Sequence, residues 1–326
     1  MDIKSVKEYL GQDWISVQER IASALESDIA LLNSTNASIL SQSGKQLRPM
    51  LALMFARACA GKAVDSSIRY AAAAELLHNA TLLHDDVADG SEMRRGKPTI
   101  MSLMGPSVSV LVGDYWLVKA MELILCDCAH DTQAIRIFSK TLSDLAEGEM
   151  LQLQKAQSGD TDEGDYLRII YNKTASLFEA ACVTAALSVD APVEYMTAAK
   201  DYSVALGLAF QIKDDILDYD GTDSVGKPLG VDILEQKITM PLLGALRNVG
   251  PEAQGEIRAK IKDIVGKPEL RDDIVDFVKE NGGLDYAIAR LNDYVSAAVK
   301  ALDVLPDSKE KDCLARLAHY TAMRDK

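Results

Sequence analysis

The sequence has few residues that interrupt helices and no excess of positive charge. Its 326 residues include 20 glycines and 9 prolines, low counts for this length, and alanine is abundant, which favours helices. Acidic residues number 49 against 35 lysines and arginines, a formal net charge of −14. Because the chain is a net anion without a block of basic residues, we expect no nucleic-acid partner.

From the sequence we also expect no disulfides, no signal peptide and no membrane-spanning segment. The five cysteines are odd in number, scattered, and without the spacing of a metal site. We interpret them as reduced thiols of a cytoplasmic protein. The N-terminal stretch lacks the apolar core of a signal peptide, and no apolar run reaches the roughly 18 residues that span a bilayer.

Helical periodicity is the dominant pattern in what remains. Ile68, Ala72, Leu76 and Leu83 recur at helical intervals, and other segments repeat the pattern. Alternating strand patterns with tight turns are missing, and no Ser/Gly linker divides the chain. We therefore predict an all-α protein of about a dozen helices, packed as an antiparallel bundle in a single domain over residues 1–326.

Two acidic clusters each close an apolar helix. "LLHDDVAD" (82–89) and "QIKDDILD" (211–218) share the pattern DD-x-x-D. The acidic residues are Asp85, Asp86 and Asp89 in the first copy and Asp214, Asp215 and Asp218 in the second. On a helix, the first and last of each set share a face, and their mutual repulsion calls for a cation such as Mg²⁺. One such cluster in an acidic chain is more commonly a solvated helix end, but two favour a metal site.

Basic residues stand at the breaks near these clusters. They are Lys45, Arg48, Arg94, Arg95, Lys173, Lys227 and Lys237. Any one alone is more commonly a solvated surface charge, but together they could bind phosphates through charge-assisted hydrogen bonds. The combination predicts a metal-bound diphosphate beside an apolar helix that lines a place for a hydrocarbon.

The order of these motifs closely resembles the trans-isoprenyl diphosphate synthases, or polyprenyl synthetases, over nearly the whole chain. The motifs are "GKQLRP", "LLHDDVADGSEMRRGKPT", "EGEMLQLQ", "YNKTASLFEAA", "FQIKDDILDYDG" and "GKPLGVDILEQKITMPLL". The resemblance implies a helical bundle of the isoprenoid synthase type around a central apolar cavity. It also implies two or three Mg²⁺ ions and sequential head-to-tail condensation of isopentenyl diphosphate onto an allylic diphosphate primer.

Roles for individual residues come from the same resemblance. Asp85, Asp89 and Asp214 look like direct metal ligands, and Asp86, Asp215 and Asp218 like supporting ones. The residues that resemble the family's isopentenyl diphosphate site are Lys45, Arg48, His78 and Arg95. Those that resemble the family's site for the allylic diphosphate and carbocation are Arg94, Lys173, Thr174, Gln211, Lys227 and Lys237. Two details depart from the family pattern: Gln236 replaces the usual glycine, and the first motif lacks a two-residue insertion that bears on product length.

Small residues before the first motif predict a long product. In this family a bulky residue at the positions of Ala80 and Thr81 closes the product tunnel, whereas alanine and threonine leave room. We therefore expect a product of about six or more isoprene units, by family resemblance, lying along a stripe of small residues. Phe138 is a candidate for the tunnel floor, although ordinary core packing explains it equally well, and small residues also permit close helix contact.

Several alternatives and associated properties complete the expectations. The main alternative is a short-chain synthase making farnesyl or geranylgeranyl diphosphate; a terpene cyclase and a non-catalytic partner subunit fit less well. The resemblance implies a homodimer, to which the apolar helix "VSVLVGDYWLVKAMELIL" could contribute. It also associates the product with a quinone side chain, and release of a long lipid suggests transient membrane contact.

Overall fold

Helices dominate the structure, a computed structural model that describes residues 3–42, 44–126, 129–220 and 230–324. Lys227 of the predicted site lies outside these ranges. The chain forms two compact units, the first from Met1–Ser139, Glu179–Lys200 and Val304–Leu314 and the second from Lys140–Phe178, Asp201–Asp303 and Ala315–Lys326. Among the described residues, no helix combines the length and apolarity needed to cross a membrane.

The described secondary structure is almost entirely α-helical, as the periodicity predicts. The α-helices are α1 (Ile3–Leu10), α2 (Gln12–Ala24), α3 (Ala30–Ser41), α4 (Leu47–Ala60), α5 (Asp65–Ala88), α6 (Ile100–Met104), α7 (Pro106–Ile124), α8 (Asp131–Ser158), α9 (Glu163–Ile170), α10 (Ser176–Leu187), α11 (Val193–Asp220), α12 (Val231–Leu234), α13 (Met240–Arg247), α14 (Pro251–Asp263), α15 (Leu270–Glu280), α16 (Gly283–Ala301) and α17 (Lys309–Met323). They exceed the expected dozen because short breaks divide apolar stretches; Gly105, with a φ of +88°, separates α6 from α7.

In the first unit, α5 packs against α2, α4 and α7. Its alanine-rich centre is a strong helix former, and the backbone N–H of Val64 donates to Ser67 Oγ (3.1 Å) at its start. Near its end, Ser109 Oγ of α7 donates to the carbonyl oxygen of Leu83 (2.8 Å). These contacts fix the end of α5, where the first acidic cluster lies.

A small antiparallel hairpin follows α5 and departs from the expectation of no strands. Strands β1 (Met93–Arg94) and β2 (Lys97–Pro98) pair through Arg94 and Lys97. The two turn residues, Arg95 and Gly96, both have positive φ values (+52° and +75°), as a tight two-residue hairpin turn requires. The hairpin is too short to change the all-α class, but it positions both arginines.

In the second unit, a π-helical turn (Tyr171–Ala175) joins α9 to α10 and carries Lys173 and Thr174. Two glycines allow this wide turn to approach its neighbours. A Cβ on Gly148 of α8 would lie 2.7 Å from the Asn172 Cβ, and one on Gly207 of α11 would lie 2.5 Å from the Ala175 Cα. Single π-helical turns are rare in proteins, and many of those that occur are at functional sites.

Candidate active site

In the first acidic cluster, the middle aspartate is buried and already accepts a hydrogen bond from another side chain. Asp86 is 4% exposed and accepts a hydrogen bond from Arg94 Nε (2.8 Å). Asp85 is half-buried in the last turn of α5, and Asp89, just past the end of that helix, is exposed. The hairpin thus places Arg94, predicted for the allylic diphosphate, on one of the predicted supporting ligands.

The predicted isopentenyl diphosphate residues lie in a crowded basic environment. The Arg95 guanidinium covers Gly44, where a Cβ would lie 2.5 Å from Nη1, immediately before Lys45. Burial, with Arg48, Arg95 and Arg94 nearby, lowers the pKa of His78 well below its usual value. Burial and the neighbouring Arg95 lower the pKa of Arg48 to about 10, against the opposing effect of Glu75. Such a cluster favours an anion.

A cleft of about 490 Å³ runs along this basic surface. Its lining residues are Ile39, Gln42, Asn79, Leu82, Leu83, Asp86, Arg94, Arg95, Pro98, Thr99 and Ile100. The cleft has charged groups from the hairpin on one side and apolar residues from α3, α5 and α6 on another. It is therefore suited to a ligand with an anionic head and a short hydrocarbon.

Glu75 is a buried acid that the sequence analysis missed. It is 4% exposed on α5, and Asn79 Nδ2 lies 3.3 Å from its Oε1. Burial raises the pKa of Glu75, while Arg48, Arg95 and Lys7 act in the opposite direction. A glutamate within the apolar run "AAAAELLH" was the available signal, and the structure places this acid near the basic groups of Arg48, Arg95 and Lys7.

In the second acidic cluster, the middle aspartate likewise accepts hydrogen bonds from other side chains. Asp215 accepts hydrogen bonds from Tyr166 Oη (2.5 Å) and Gln211 Nε2 (3.0 Å). Burial, together with neighbouring Asp232, raises the pKa of Asp215 well above its usual value, and burial also raises that of Tyr166. Tyr166 and Asp232 are further residues that sequence reasoning missed.

The outer two aspartates of this cluster have different partners. Arg324 Nη2 lies 2.8 Å from Asp214 Oδ1 and also donates to the carbonyl oxygen of Phe210 (2.8 Å). Asp218 accepts from the backbone N–H groups of Val231 (3.1 Å) and Asp232 (3.2 Å), which fixes the start of α12. Arg324 is 114 residues from Phe210 along the chain, so no local pattern could have predicted it.

A cleft of about 600 Å³ contains most of the predicted allylic-site residues. Lys173 Nζ pairs with Glu149 Oε1 (2.7 Å), and Thr174 Oγ1 donates to Gln211 Oε1 (2.9 Å). Lys237 Nζ lies 3.6 Å from Asp232 Oδ1. The lining residues are Gln152, Lys155, Ala156, Thr161, Tyr166, Ile169, Ile170, Lys173, Thr174, Gln211, Asp215, Asp232, Lys237, Ile238 and Thr239. The fold thus gathers Lys173, Thr174, Gln211, Asp215 and Lys237 around one cleft.

Gln236, which replaces the family's glycine, keeps a glycine-like backbone. Its φ is +59°, a left-handed conformation that costs a non-glycine residue roughly 1 kcal/mol. Its side-chain Nε2 donates to the carbonyl oxygens of Lys262 (3.0 Å) and Ile261 (3.4 Å) at the end of α14. These bonds help to hold the turn that leads to Lys237.

The chain-length candidates all lie in the first unit. Ala80 is buried in α5, and half-buried Thr81 donates from Oγ1 to the carbonyl oxygen of His78 (2.8 Å). Phe138, on α8, is fully buried. Their positions agree with both ordinary packing and a tunnel, so their role in chain length stays a prediction.

The acidic residues offer carboxylate oxygens, which are suitable ligands for Mg²⁺, although they do not form a complete coordination sphere. Within the described ranges, no group of three or more acidic, histidine or cysteine side chains converges on one point. Mg²⁺ commonly uses one or two carboxylates and completes its octahedron with water and substrate phosphates. Partly accessible Asp85, Asp89 and Asp214 fit that requirement, while Asp86 and Asp215 already accept from protein donors.

Comparison with known proteins gives a consistent set of relatives. A family model described as Polyprenyl synthetase matches residues 29–281. The octaprenyl diphosphate synthase of Escherichia coli (strain K12) is 37% identical over 327 residues, covering all of both chains. Among solved structures, a decaprenyl diphosphate synthase from Rhodobacter capsulatus matches with a TM-score of 0.90 and 35% identity over all of both chains.

A second solved structure is that of a polyprenyl synthase from Caulobacter crescentus CB15, complexed with calcium and isoprenyl diphosphate. It matches with a TM-score of 0.88 and 34% identity over 100% of this chain and 98% of that one. These matches confirm the all-α class expected from the sequence.

Proposed function

The chain belongs to the polyprenyl synthetase family, and we propose that it is a long-chain trans-polyprenyl diphosphate synthase. The observation that carries the proposal is the basic cluster of the first unit, where Arg48, Arg94 and Arg95 act electrostatically on His78 of α5, the helix that ends in the first acidic cluster. The relatives named octaprenyl and decaprenyl diphosphate synthases favour a long product over a short one.

Two diphosphate sites account for the basic residues. Lys45, Arg48, His78 and Arg95 bind isopentenyl diphosphate, with His78 neutral and able to donate one N–H. The allylic diphosphate is bound by Arg94, Lys173, Lys227 and Lys237. Asp85 and Asp89 would hold Mg²⁺ at the first motif and Asp214 at the second, two or three ions in all, with Asp86, Asp215 and Asp218 as supporting residues. When bound, Mg²⁺ stabilises the charge of the leaving diphosphate.

The chain's own residues bind the substrates and stabilise positive charge. Arg94 and Lys173 draw electron density onto the allylic diphosphate as its C–O bond breaks, leaving an allylic carbocation. The double bond of isopentenyl diphosphate supplies the electron pair of the new C–C bond, and a proton then leaves to the released diphosphate. Oxygen dipoles of Thr174 and Gln211 steady the cation, and apolar walls exclude water that would trap it.

The two compact units together serve as one synthase domain over residues 1–326. The chain passes between them repeatedly, and α8, α10, α11 and α17 each contain residues of both. Each unit is built from separated segments, so neither is a contiguous, independently encoded module. This division supports one catalytic domain.

The same proposal includes a homodimer formed through α7. Leu111, Val118 and Leu125 are exposed at seven-residue spacing on one side of this helix or at its end. A stripe of three large apolar side chains calls for a covering surface, and a second copy of the chain supplies one by two-fold symmetry. A cytoplasmic location, transient membrane contact at product release and use of the product as a quinone side chain complete the proposal.

Incubation with isopentenyl diphosphate, farnesyl diphosphate and Mg²⁺, followed by sizing of the products, tests the function. We expect linear products of about six or more isoprene units. A main product of three or four units would support the short-chain alternative, a cyclic hydrocarbon a cyclase, and activity only with a second protein a partner subunit.

Two variants test the site assignment in the same assay. Asp85→Asn should lower kcat by at least about 10², because it removes part of the charge that stabilises the leaving group. Arg48→Ala should chiefly raise the KM for isopentenyl diphosphate. A rise confined to the allylic KM would reverse the assignment of the two sites.

A further inference from the structure

Four side chains in the cleft of the second unit form one hydrogen-bonded chain. In order they are Tyr166, Asp215, Gln211 and Thr174, and all four line the same cleft. Tyr166 Oη donates to Asp215 Oδ2 (2.5 Å), Gln211 Nε2 donates to Asp215 Oδ1 (3.0 Å), and Thr174 Oγ1 donates to Gln211 Oε1 (2.9 Å). The chain therefore links a tyrosine of α9 to a threonine of the π-helical turn through two residues of α11.

Asp215 is enclosed by its neighbours in this series of hydrogen-bonded side chains. The residue is 2% exposed, Tyr166 is 3% exposed, and each carboxylate oxygen of Asp215 accepts from a protein donor. The neighbouring Asp214, by contrast, has a side chain that is 41% exposed. The middle aspartate of the motif is thus committed to protein contacts, whereas its neighbour is accessible.

The hydrogen bond from Gln211 Nε2 to Asp215 Oδ1 also sets the direction of the bond between Gln211 and Thr174. An oxygen of Asp215 that accepts from the Gln211 amide requires the amide nitrogen on its side. Gln211 Oε1 then faces Thr174, whose hydroxyl must donate its proton to it. Consequently the lone pairs of Thr174 Oγ1 are left for the cleft. If the amide were reversed, Thr174 would accept from the amide nitrogen and its proton would point elsewhere.

We propose that Asp215 and Tyr166 are positioning residues that fix the direction of the Thr174–Gln211 hydrogen bond, so that Thr174 presents oxygen lone pairs to the allylic cation. The inference rests on the proposed function, which supplies that cation. A preorganised lone pair stabilises a developing positive charge, whereas an outward O–H proton would destabilise it. In this role Asp215 acts through its hydrogen bond to Gln211 and not through the metal that Asp214 would bind.

Tyr166→Phe tests this role with little change in shape, because it removes only the hydroxyl. We expect kcat to fall about tenfold, the scale of one lost hydrogen bond to a charged group. The allylic KM and the Mg²⁺ concentration for half-maximal activity should stay within about twofold of the wild-type values. Asp214→Asn should instead raise that Mg²⁺ concentration.

A double variant separates positioning from a general effect on folding. If Tyr166 acts through Thr174, Tyr166→Phe should not lower kcat further in a Thr174→Val background. Tyr286→Phe is the matched control, since it removes a hydroxyl that donates to Glu163 Oε2 (2.7 Å) and does not line the cleft. Its kcat should be unchanged, and circular dichroism should show all variants folded.

Three results would overturn the inference. They are a Tyr166→Phe kcat within twofold of wild type, independent multiplication of the two effects in the double variant, or a shift in Mg²⁺ dependence equal to that of Asp214→Asn. An active wild-type enzyme with any of these results would leave the proposed function standing. A wild-type chain that makes no prenyl product would remove the proposed function and this inference with it.

Discussion

His78 is a titratable residue whose surroundings oppose its charge. The pKa of free histidine is about 6.5, and in the folded chain burial and three arginines hold it well below that value. Below pH 6.5 the unfolded state therefore binds a proton that the folded state does not. Folding stability that is fully present above this pH is lost as the pH falls toward the pKa in the folded state.

We expect His78→Gln to reduce this loss. Urea unfolding between pH 7 and pH 5 should show the wild-type free energy of unfolding falling faster than that of the variant, by at most about 1.4 kcal/mol per pH unit. The exposed His319 provides a control, and His319→Gln should follow the wild type. Equal pH slopes for His78→Gln and wild type would contradict the burial of a neutral imidazole.

At the scale of elements, the π-helical turn depends on close approach to α11. A methyl group on Gly207 would lie 2.5 Å from the Ala175 Cα, too close for either backbone to accept without moving. Gly207→Ala should therefore lower the free energy of unfolding by about 1–3 kcal/mol, as overpacking does. Because Thr174 lies in the displaced turn, kcat should fall as well.

Gly255 offers the matched control for this substitution. It lies within α14, and a Cβ there would meet nothing within 4 Å. Gly255→Ala should be neutral or stabilise the protein by up to about 1 kcal/mol, the difference in helix propensity. Thermal unfolding of the two variants gives the comparison. A Gly207→Ala protein as stable as Gly255→Ala would show that the contact is not restrictive.

The helix α5 carries the chain-length prediction. If its small residues line the product tunnel, Ala80→Tyr should shorten the main product to about three or four units by family resemblance, because the ring would cross the tunnel. Chromatographic sizing checks this, with Ala22→Tyr on the exposed side of α2 as a control. Ala80→Leu gives a smaller obstruction should the tyrosine disturb folding. An unchanged long product in folded variants would remove Ala80 from the tunnel wall.

At the scale of the whole molecule, the proposed dimer depends on the apolar stripe of α7. Leu111→Arg combined with Val118→Arg should convert a dimer to a monomer, because charged groups would be buried in the contact. Sedimentation equilibrium measures the mass directly. Val193→Arg, at another exposed valine, is the control and should leave the mass unchanged. A wild-type monomer, or a double variant that remains dimeric, would contradict the interface.

The all-α class and the placement of the first acidic motif near a helix end could be predicted from local sequence patterns. Helix geometry is local, so the spacing of Asp85 and Asp89 is enough to place them one turn apart, near the end of α5. The alanine-rich run before them was sufficient to predict the helix. The order of motifs was specific enough to predict the family, and the match over residues 29–281 confirms that prediction.

What each acidic residue contacts depends on groups that lie far from it in the sequence. The hairpin brings Arg94 back onto Asp86, α9 brings Tyr166 to Asp215, and α17 is followed by Arg324, which reaches Asp214. Periodicity fixes the face on which a side chain lies, but not which distant group arrives there or whether that face is closed to water. The identical DD-x-x-D pattern therefore conceals a physical difference: the middle aspartates are enclosed by protein donors, while Asp85 and Asp214 keep access to solvent.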